Sequence, residues 1–128
     1  MKLRVKDLPP SSLRSVSSAT KLADVARDMR IHDSDSVAVI DDERLVGIIT
    51  ERDLVRAIAD GLNPTQASAG MVMTSDPATV SLDEDVNVVA VKMMRLGIRH
   101  LPVVDGQGKP AGLVSARNLI AVLDRANS

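Results

Sequence analysis

Two heptads decide the reading of this chain: Gly47-Ile48-Ile49-Thr50-Glu51-Arg52-Asp53 and Gly112-Leu113-Val114-Ser115-Ala116-Arg117-Asn118. Each runs from glycine through two aliphatic residues to a hydroxyl residue, and three positions later reaches an acid or its amide. Leucine follows in both, at Leu54 and Leu119. Upstream, a shift of 64 residues lays Val16-Ser17 on Val80-Ser81, Ala26 on Ala90, Met29 on Met93, Val39 on Val103 and Asp41 on Asp105. One extra residue after Asp105 then brings the heptads into line. Register and residue class persist together over both spans, so the chain is a tandem duplication.

Each repeat reads as strand, helix, strand, strand, helix. Leu22, Val25, Ala26 and Met29 form one apolar stripe at helical spacing, with Thr20 or Ser18 available as its cap. Val37 to Ile40 is a short β-branched run suited to a buried strand, and Asp41 to Arg44 is a polar turn into a second strand, Leu45 to Ile49. A helix carrying Leu54, Val55 and Ile58 then starts after Thr50 and stops near Gly61, a plausible left-handed residue. The second repeat has Val86, Val89, Ala90, Met93 and Met94 on a helix ended by Gly97. Strands Leu101 to Val104 and Ala111 to Val114 follow, then a last helix through Leu119 and Leu123. The expected divisions are residues 1–61, a polar connector at 62–70, and 71–128. A unit of about 60 residues buries little surface by itself, so the two repeats are expected to share one core, sheet against sheet, in an α+β arrangement.

Composition narrows the chemistry. The 128 residues carry 16 basic and 17 acidic side chains, and this near-neutral balance makes nucleic acid an improbable partner. There is no cysteine, which removes disulfides, thiolate metal sites and a thiol nucleophile. No apolar run approaches the roughly 20 residues of a membrane helix, and the amino terminus lacks a signal-peptide pattern, so the expected location is the cytoplasm. Phe, Tyr and Trp are all absent, so any flat ligand must lie between aliphatic side chains rather than on rings.

At this point the sequence resembles a pair of CBS domains, the tandem arrangement called a Bateman module. The likeness rests on Val5-Lys6-Asp7-Leu8, on Met71-Val72-Met73-Thr74 running to Asp76-Pro77-Ala78-Thr79-Val80, on the strands Ala38-Val39-Ile40-Asp41 and Pro102-Val103-Val104-Asp105, and on the two heptads. The resemblance implies two β-α-β-β-α repeats related by a pseudo-two-fold axis, with two clefts between the sheets. It further implies an adenosyl ligand (AMP, ADP or ATP, with S-adenosylmethionine or NAD as other possibilities), a disc-like homodimer, a regulatory role toward an unidentified protein partner, and no catalytic activity.

The heptad has a chemical logic of its own. Thr50 and Ser115 fall at helix starts, where unpaired N–H groups and the positive end of the dipole favour a phosphate. Asp53 lies one turn on, where its carboxylate can accept from ribose hydroxyls. The same residues also spell a capping box, in which Thr50 satisfies an amide and Asp53 reaches back. Gly47 and Gly112 would let a ligand approach the backbone.

The family implies a phosphate-binding basic residue before the strand, here Arg99 with His100 beside it; its counterpart Asp35 would repel phosphate. Asn118 replaces the ribose acid in the second repeat. A phosphorylated ligand is therefore expected at Ser115, Arg99 and Asn118, and the nucleoside part, or nothing, at Thr50 and Asp53. By the same analogy each cleft is closed by the opposite repeat. Thr79 and Val80 would join the Thr50 site, Ser15 and Val16 the Ser115 site, and Val80, Ile98 and Val16 would flank adenine.

Other motifs point to structure. His32 and His100 are not at equivalent repeat positions, and Asp33-Ser34-Asp35-Ser36 lacks the glycine and distal glutamate of a calcium loop, so no metal site is expected. No nucleophile–histidine–acid pattern stands out. Two readings remain: a ligand-gated sensor, and a structural dimerisation module whose clefts have lost their ligand.

Overall fold

Alternation and turn chemistry place the first sheet. β2 (Ser36–Asp41) and β3 (Arg44–Thr50) form an antiparallel hairpin in the computed structural model, which describes residues 2–8 and 13–126. Asp42 and Glu43 turn the hairpin with φ of 49° and 64°, the left-handed pair that a two-residue turn between twisted strands requires. β1 (Ser15–Val16) pairs parallel to β2, and β4 (Thr74–Ser75) pairs antiparallel to β3, giving the order β1-β2-β3-β4. Two helices follow from the periodicity: α1 (Leu22–Ile31) and α2 (Glu51–Ala59). Val25 and Met29 of α1 pack with Val37, Val39 and Ile49 in a buried cluster.

The second sheet repeats the plan with β5 (Val80–Ser81), β6 (His100–Val104) and β7 (Pro110–Ser115), in the order β5-β6-β7. α4 (Val86–Leu96) ends at Gly97, whose φ of 67° is the left-handed turn that the sequence implied. α5 (Ala116–Ala126) follows β7 directly. The duplication extends to irregularities: the register slips between Val39 and Ile40 in one hairpin and between Val103 and Val104 in the other. The protein is an α+β chain of two such repeats.

The compact units cut the chain differently from the sequence repeats. One unit is residues 13–77; the other joins the described part of 1–12 to that of 78–128. A 3-10 turn at Val5–Asp7 sits in the second unit, with Val5 buried among Val80, Val86, Val89 and Leu101. Val5 N–H donates to the Glu84 carbonyl at 2.9 Å, Lys6 N–H to Leu82 at 2.9 Å, and Val86 N–H to Leu3 at 2.9 Å. The equivalent lead-in of the second repeat, α3 (Ala69–Val72), does the same for the first unit. Ala69 is fully buried there, with its N–H on the Thr20 carbonyl at 2.7 Å and Leu22 N–H on the Ala67 carbonyl at 3.0 Å. The stretch expected to be a polar connector thus contributes the buried Ala67 and Ala69 and supplies acceptors for the start of α1. The expected side-chain cap of α1 does not form: Lys21 is the N-cap, without a side-chain bond, and Thr20 bonds Ser17 instead. α2 turns two of its apolar residues outward. Leu54 and Ala57 face the core, while Val55 and Ile58 are exposed, as is Met94 on α4.

Asp41 and Asp105 end equivalent strands but hold different loops. Asp41 accepts from Ser18 N–H at 3.0 Å, and Asp105 accepts from the amides of Gln107 at 2.8 Å and Lys109 at 2.9 Å. Hydrogen bonds from Ser18 hold the Asp41 carboxyl below its ordinary range, and those from Lys109 and Gln107 do the same for Asp105. A carboxylate with a depressed folded-state pKa stabilises above its unfolded value and loses that contribution as pH falls through the folded one. Stability measured by urea unfolding should therefore decline as pH drops below roughly 4, and a double Asp41→Asn, Asp105→Asn variant should show a shallower decline.

Candidate functional site

Each unit turns directly from a strand into a helix at its hydroxyl residue. Thr50 is extended, with φ −112° and ψ 167°, and caps α2. Thr50 Oγ1 accepts from Asp53 N–H at 3.4 Å, while the Asp53 carboxylate accepts from Thr50 N–H at 2.8 Å and from the Thr50 hydroxyl at 3.1 Å. This is the capping box, and it engages Oδ2 of the carboxylate expected to read ribose. Asp53→Ala should cost about 0.5–2 kcal/mol of stability, the usual worth of a lost cap, measurable by thermal unfolding.

The second unit forms half of that box. Ser115 Oγ accepts from Asn118 N–H at 3.1 Å, and no return bond from Asn118 is present among the described residues. A neutral amide oxygen is a weaker acceptor than a carboxylate, so closing the ring is worth less there. Asn118 and Arg99 are exposed, and His100 is half-buried.

Not all of the expected helix-start amides are open. Glu51 N–H donates to the Asp35 carbonyl at 3.0 Å and Ala116 N–H to the Arg99 carbonyl at 2.8 Å, the same bond in both repeats. With the N–H groups of Asp53 and Asn118 also used, the Arg52 and Arg117 amides are the first-turn donors without an acceptor among the described residues. The shared bond also fixes Asp35 and Arg99 as equivalents. The two junctions therefore differ in sign: Asp35 and Asp53 border the first, Arg99 and His100 the second.

Strand pairing groups the remaining candidates. Ser15 pairs with Ala38 and Val16 with Val39, in the sheet that carries Thr50; Val80 pairs with Val103, in the sheet that carries Ser115. Each pair thus lies in the sheet of its own unit, while the family analogy places it at the opposite repeat's site. Val80 is 1% exposed and packs in its unit's core, Val16 packs against the other core, and Thr79 offers its carbonyl to Lys92 Nζ at 2.9 Å. Val80 therefore has no free face for adenine, whereas Ile98 is exposed. Gly47 is likewise explained by packing: a Cβ there would meet Met73 Sδ at 2.5 Å and the Thr74 carbonyl at 2.9 Å, so glycine admits β4 rather than a ligand. At Gly112 the nearest described atom to such a Cβ is Val103 Cβ at 4.0 Å.

Sequence reasoning passed over Ser36. It pairs directly with Thr50, as His100 pairs with Ser115, and it is fully buried. The signal was present, because the repeat shift that matches Asp35 to Arg99 also matches Ser36 to His100. Among the described residues no group of three or more His, Asp or Glu side chains is placed to hold a metal, and no helix is long and apolar enough to cross a membrane.

Two β-α-β-β-α units, each with a hydroxyl residue at its strand-to-helix junction, define a duplicated CBS architecture. The chain belongs to the CBS domain family, whose model matches residues 5–60 and 69–125. It is 34% identical over 124 residues to an uncharacterised 17.7 kDa protein of Acidianus ambivalens, covering 96% of this chain and 74% of that one. It spans about half or less of seven other curated relatives. A CBS domain protein from Pyrobaculum aerophilum, solved in complex with AMP, superposes with a TM-score of 0.87 at 28% identity, over 98% of this chain and 100% of that one. The CBS domain pair of protein MJ0100, solved with 5′-methylthioadenosine and S-adenosyl-L-methionine, superposes with a TM-score of 0.89 at 27% identity, over the full length of both.

Proposed function

We propose that this chain is a regulatory module that binds an adenosyl ligand at its strand-to-helix junctions and signals by a change of conformation. The observation that carries the reading is the Ser115 junction, where a cap hydroxyl, an open Arg117 amide, Arg99 and His100 lie at one helix start. Backbone N–H groups, the helix dipole and a guanidinium together suit a phosphate or another anion. An adenine nucleotide such as AMP, ADP or ATP fits that chemistry there. The Thr50 junction, bordered by Asp35 and Asp53, suits an uncharged nucleoside. The AMP, methylthioadenosine and S-adenosylmethionine complexes of the similar proteins support the adenosyl class. A ligand of this kind shifts a conformational balance only to the extent that it binds the two states unequally.

A thermal-shift series with AMP, ADP, ATP, S-adenosylmethionine, NAD and adenosine tests the proposal, using an external dye because the chain has no aromatic residue. A ligand bound only by the folded state raises the melting temperature by mass action. No response to any of them, each present at millimolar concentration, would refute the reading.

The capping box at Thr50 and Asp53 and the packed Gly47 favour a second reading for the first junction: a structural element within an interaction module. Val55 and Ile58 on α2 and Ile120 on α5 are exposed, and a homodimer that covers them is part of the proposal. Sedimentation at micromolar concentration should report that dimer.

A further inference from the structure

The equivalent helices α1 and α4 turn different chemistry outward. The 64-residue shift lays Asp24, Arg27 and Arg30 of α1 on Val88, Val91 and Met94 of α4. Spacing by three sets each triplet in one slanting row along its helix. On α4 the row is 57%, 44% and 79% exposed, while Val86, Val89 and Met93 of the same helix are buried. On α1 all three residues are exposed charges, and Asp24 pairs with Arg27. One place in the repeat is thus charged in one unit and apolar in the other, so the fold does not demand apolar side chains there. Ile120, on the α5 helix that packs beside α4, is exposed as well. An uncovered apolar row of this kind marks an interaction surface.

We propose that α4 pairs antiparallel with α4 of a second copy, the two-fold axis passing near Val91. This deepens the homodimer proposed above and rests on it, adding which helices meet and in what direction. Charge is laid out for such a pair. α4 holds no acid, and both of its bases, Lys92 and Arg95, stand in its second half. Lys92 is turned back onto the Thr79 carbonyl, whereas Arg95 is exposed. Asp85 stands at the other end, where its carboxylate accepts from Asn87 N–H at 2.7 Å. A two-fold at Val91 sets Val88 against Met94 twice over, and brings each Arg95 beside Asn87 and Asp85 of the second copy. Opposite dipole ends meet in that arrangement, while a parallel pair would stack Arg95 on Arg95. Such rim charges fix direction more than strength. α1 of a second copy is the wrong partner, because it would press Asp24, Arg27 and Arg30 against the apolar row and strip their water.

Val91→Arg gives α4 the residue that α1 carries at the same place. Sedimentation should show its dimer dissociation constant raised by about 100-fold or more, as for a charge buried without a partner. The monomer should stay folded, since Val91 is exposed. The chain has no cysteine, so Val91→Cys supplies a single thiol close to the axis. Under mild oxidation that variant alone should yield a disulfide-linked dimer. Linkage only in the double variant Arg27→Cys, Val91→Cys would show α4 facing α1 and overturn the inference. A Val91→Cys protein that stays unlinked, or a Val91→Arg dimer as tight as the parent's, would also overturn it while sparing the homodimer. The row would then belong to a different partner. A parent protein that is monomeric at micromolar concentration would overturn the inference and the homodimer together.

Discussion

Arg99→Ala should lower affinity for AMP by about 10- to 150-fold, the range expected when a hydrogen bond to a charged group is lost. The folded protein should hardly notice the change. The part of Arg99 that the structure uses is its carbonyl, which accepts from Ala116 N–H at 2.8 Å, and alanine keeps that carbonyl. The side chain is exposed, and exposed substitutions of this kind usually stay within about 0.5 kcal/mol. Affinity and stability thus separate, as they do not for a residue that merely braces the site. Salt offers a second check: an exposed guanidinium–phosphate pair is screened, so AMP binding to the parent protein should weaken as ionic strength rises, and the variant should be nearly insensitive. Calorimetry with AMP and with adenosine supplies both numbers. Unchanged AMP affinity would remove Arg99 from the site.

Val5→Asp should destabilise the protein by about 3–5 kcal/mol, the scale of an uncompensated buried charge. That is a large part of the 5–15 kcal/mol typical of a small protein. Judged by sequence order, residue 5 is a peripheral position at the start of the first repeat. In the structure it is 5% exposed in the core of the unit that contains the second. Hydrogen exchange can tell where the damage falls. Amides of Val80, Leu101 and Val114 should lose protection before those of Val37 and Ile49. The neighbouring Lys6→Asp makes the control, since Lys6 is exposed and its pairing with Asp83 at 3.4 Å is a surface contact worth about 1 kcal/mol or less. Uniform loss of protection across both hairpins would show that the lead-in does not belong to one unit.

Strands, helices and stops were legible because period and punctuation are local properties. The Val37–Ile40 run, the stripe from Leu22 to Met29 and the left-handed Gly61 and Gly97 needed only their own neighbours. The partner of each lead-in was not legible for a reason particular to duplicated chains. Two equivalent repeats offer equivalent docking places, so the pattern that sends Val5 or Ala69 into a core does not say which core. Gly47 failed differently. Its reading as a ligand approach ignored a residue far along the chain, Met73, whose side chain fills the space. At the candidate site the heptads located both junctions, and the family resemblance pointed to the charge difference between Asp35 and Arg99. The heptads spelled the capping box that ties Asp53 to Thr50, but they could not show that a serine one place after Asp35 hides an unanswered hydroxyl.

The exchange of lead-in segments also orders events during synthesis. Everything in the unit at 13–77 is available once residue 77 has left the ribosome, and its hairpin can zip early. The segment from Leu3 to Leu8 must wait for β5 and α4, some eighty residues later, so it is made well before the elements that seat it. Until then three aliphatic side chains, Leu3, Val5 and Leu8, travel uncovered, which gives a chaperone its natural handle and a crowded polysome its easiest mistake.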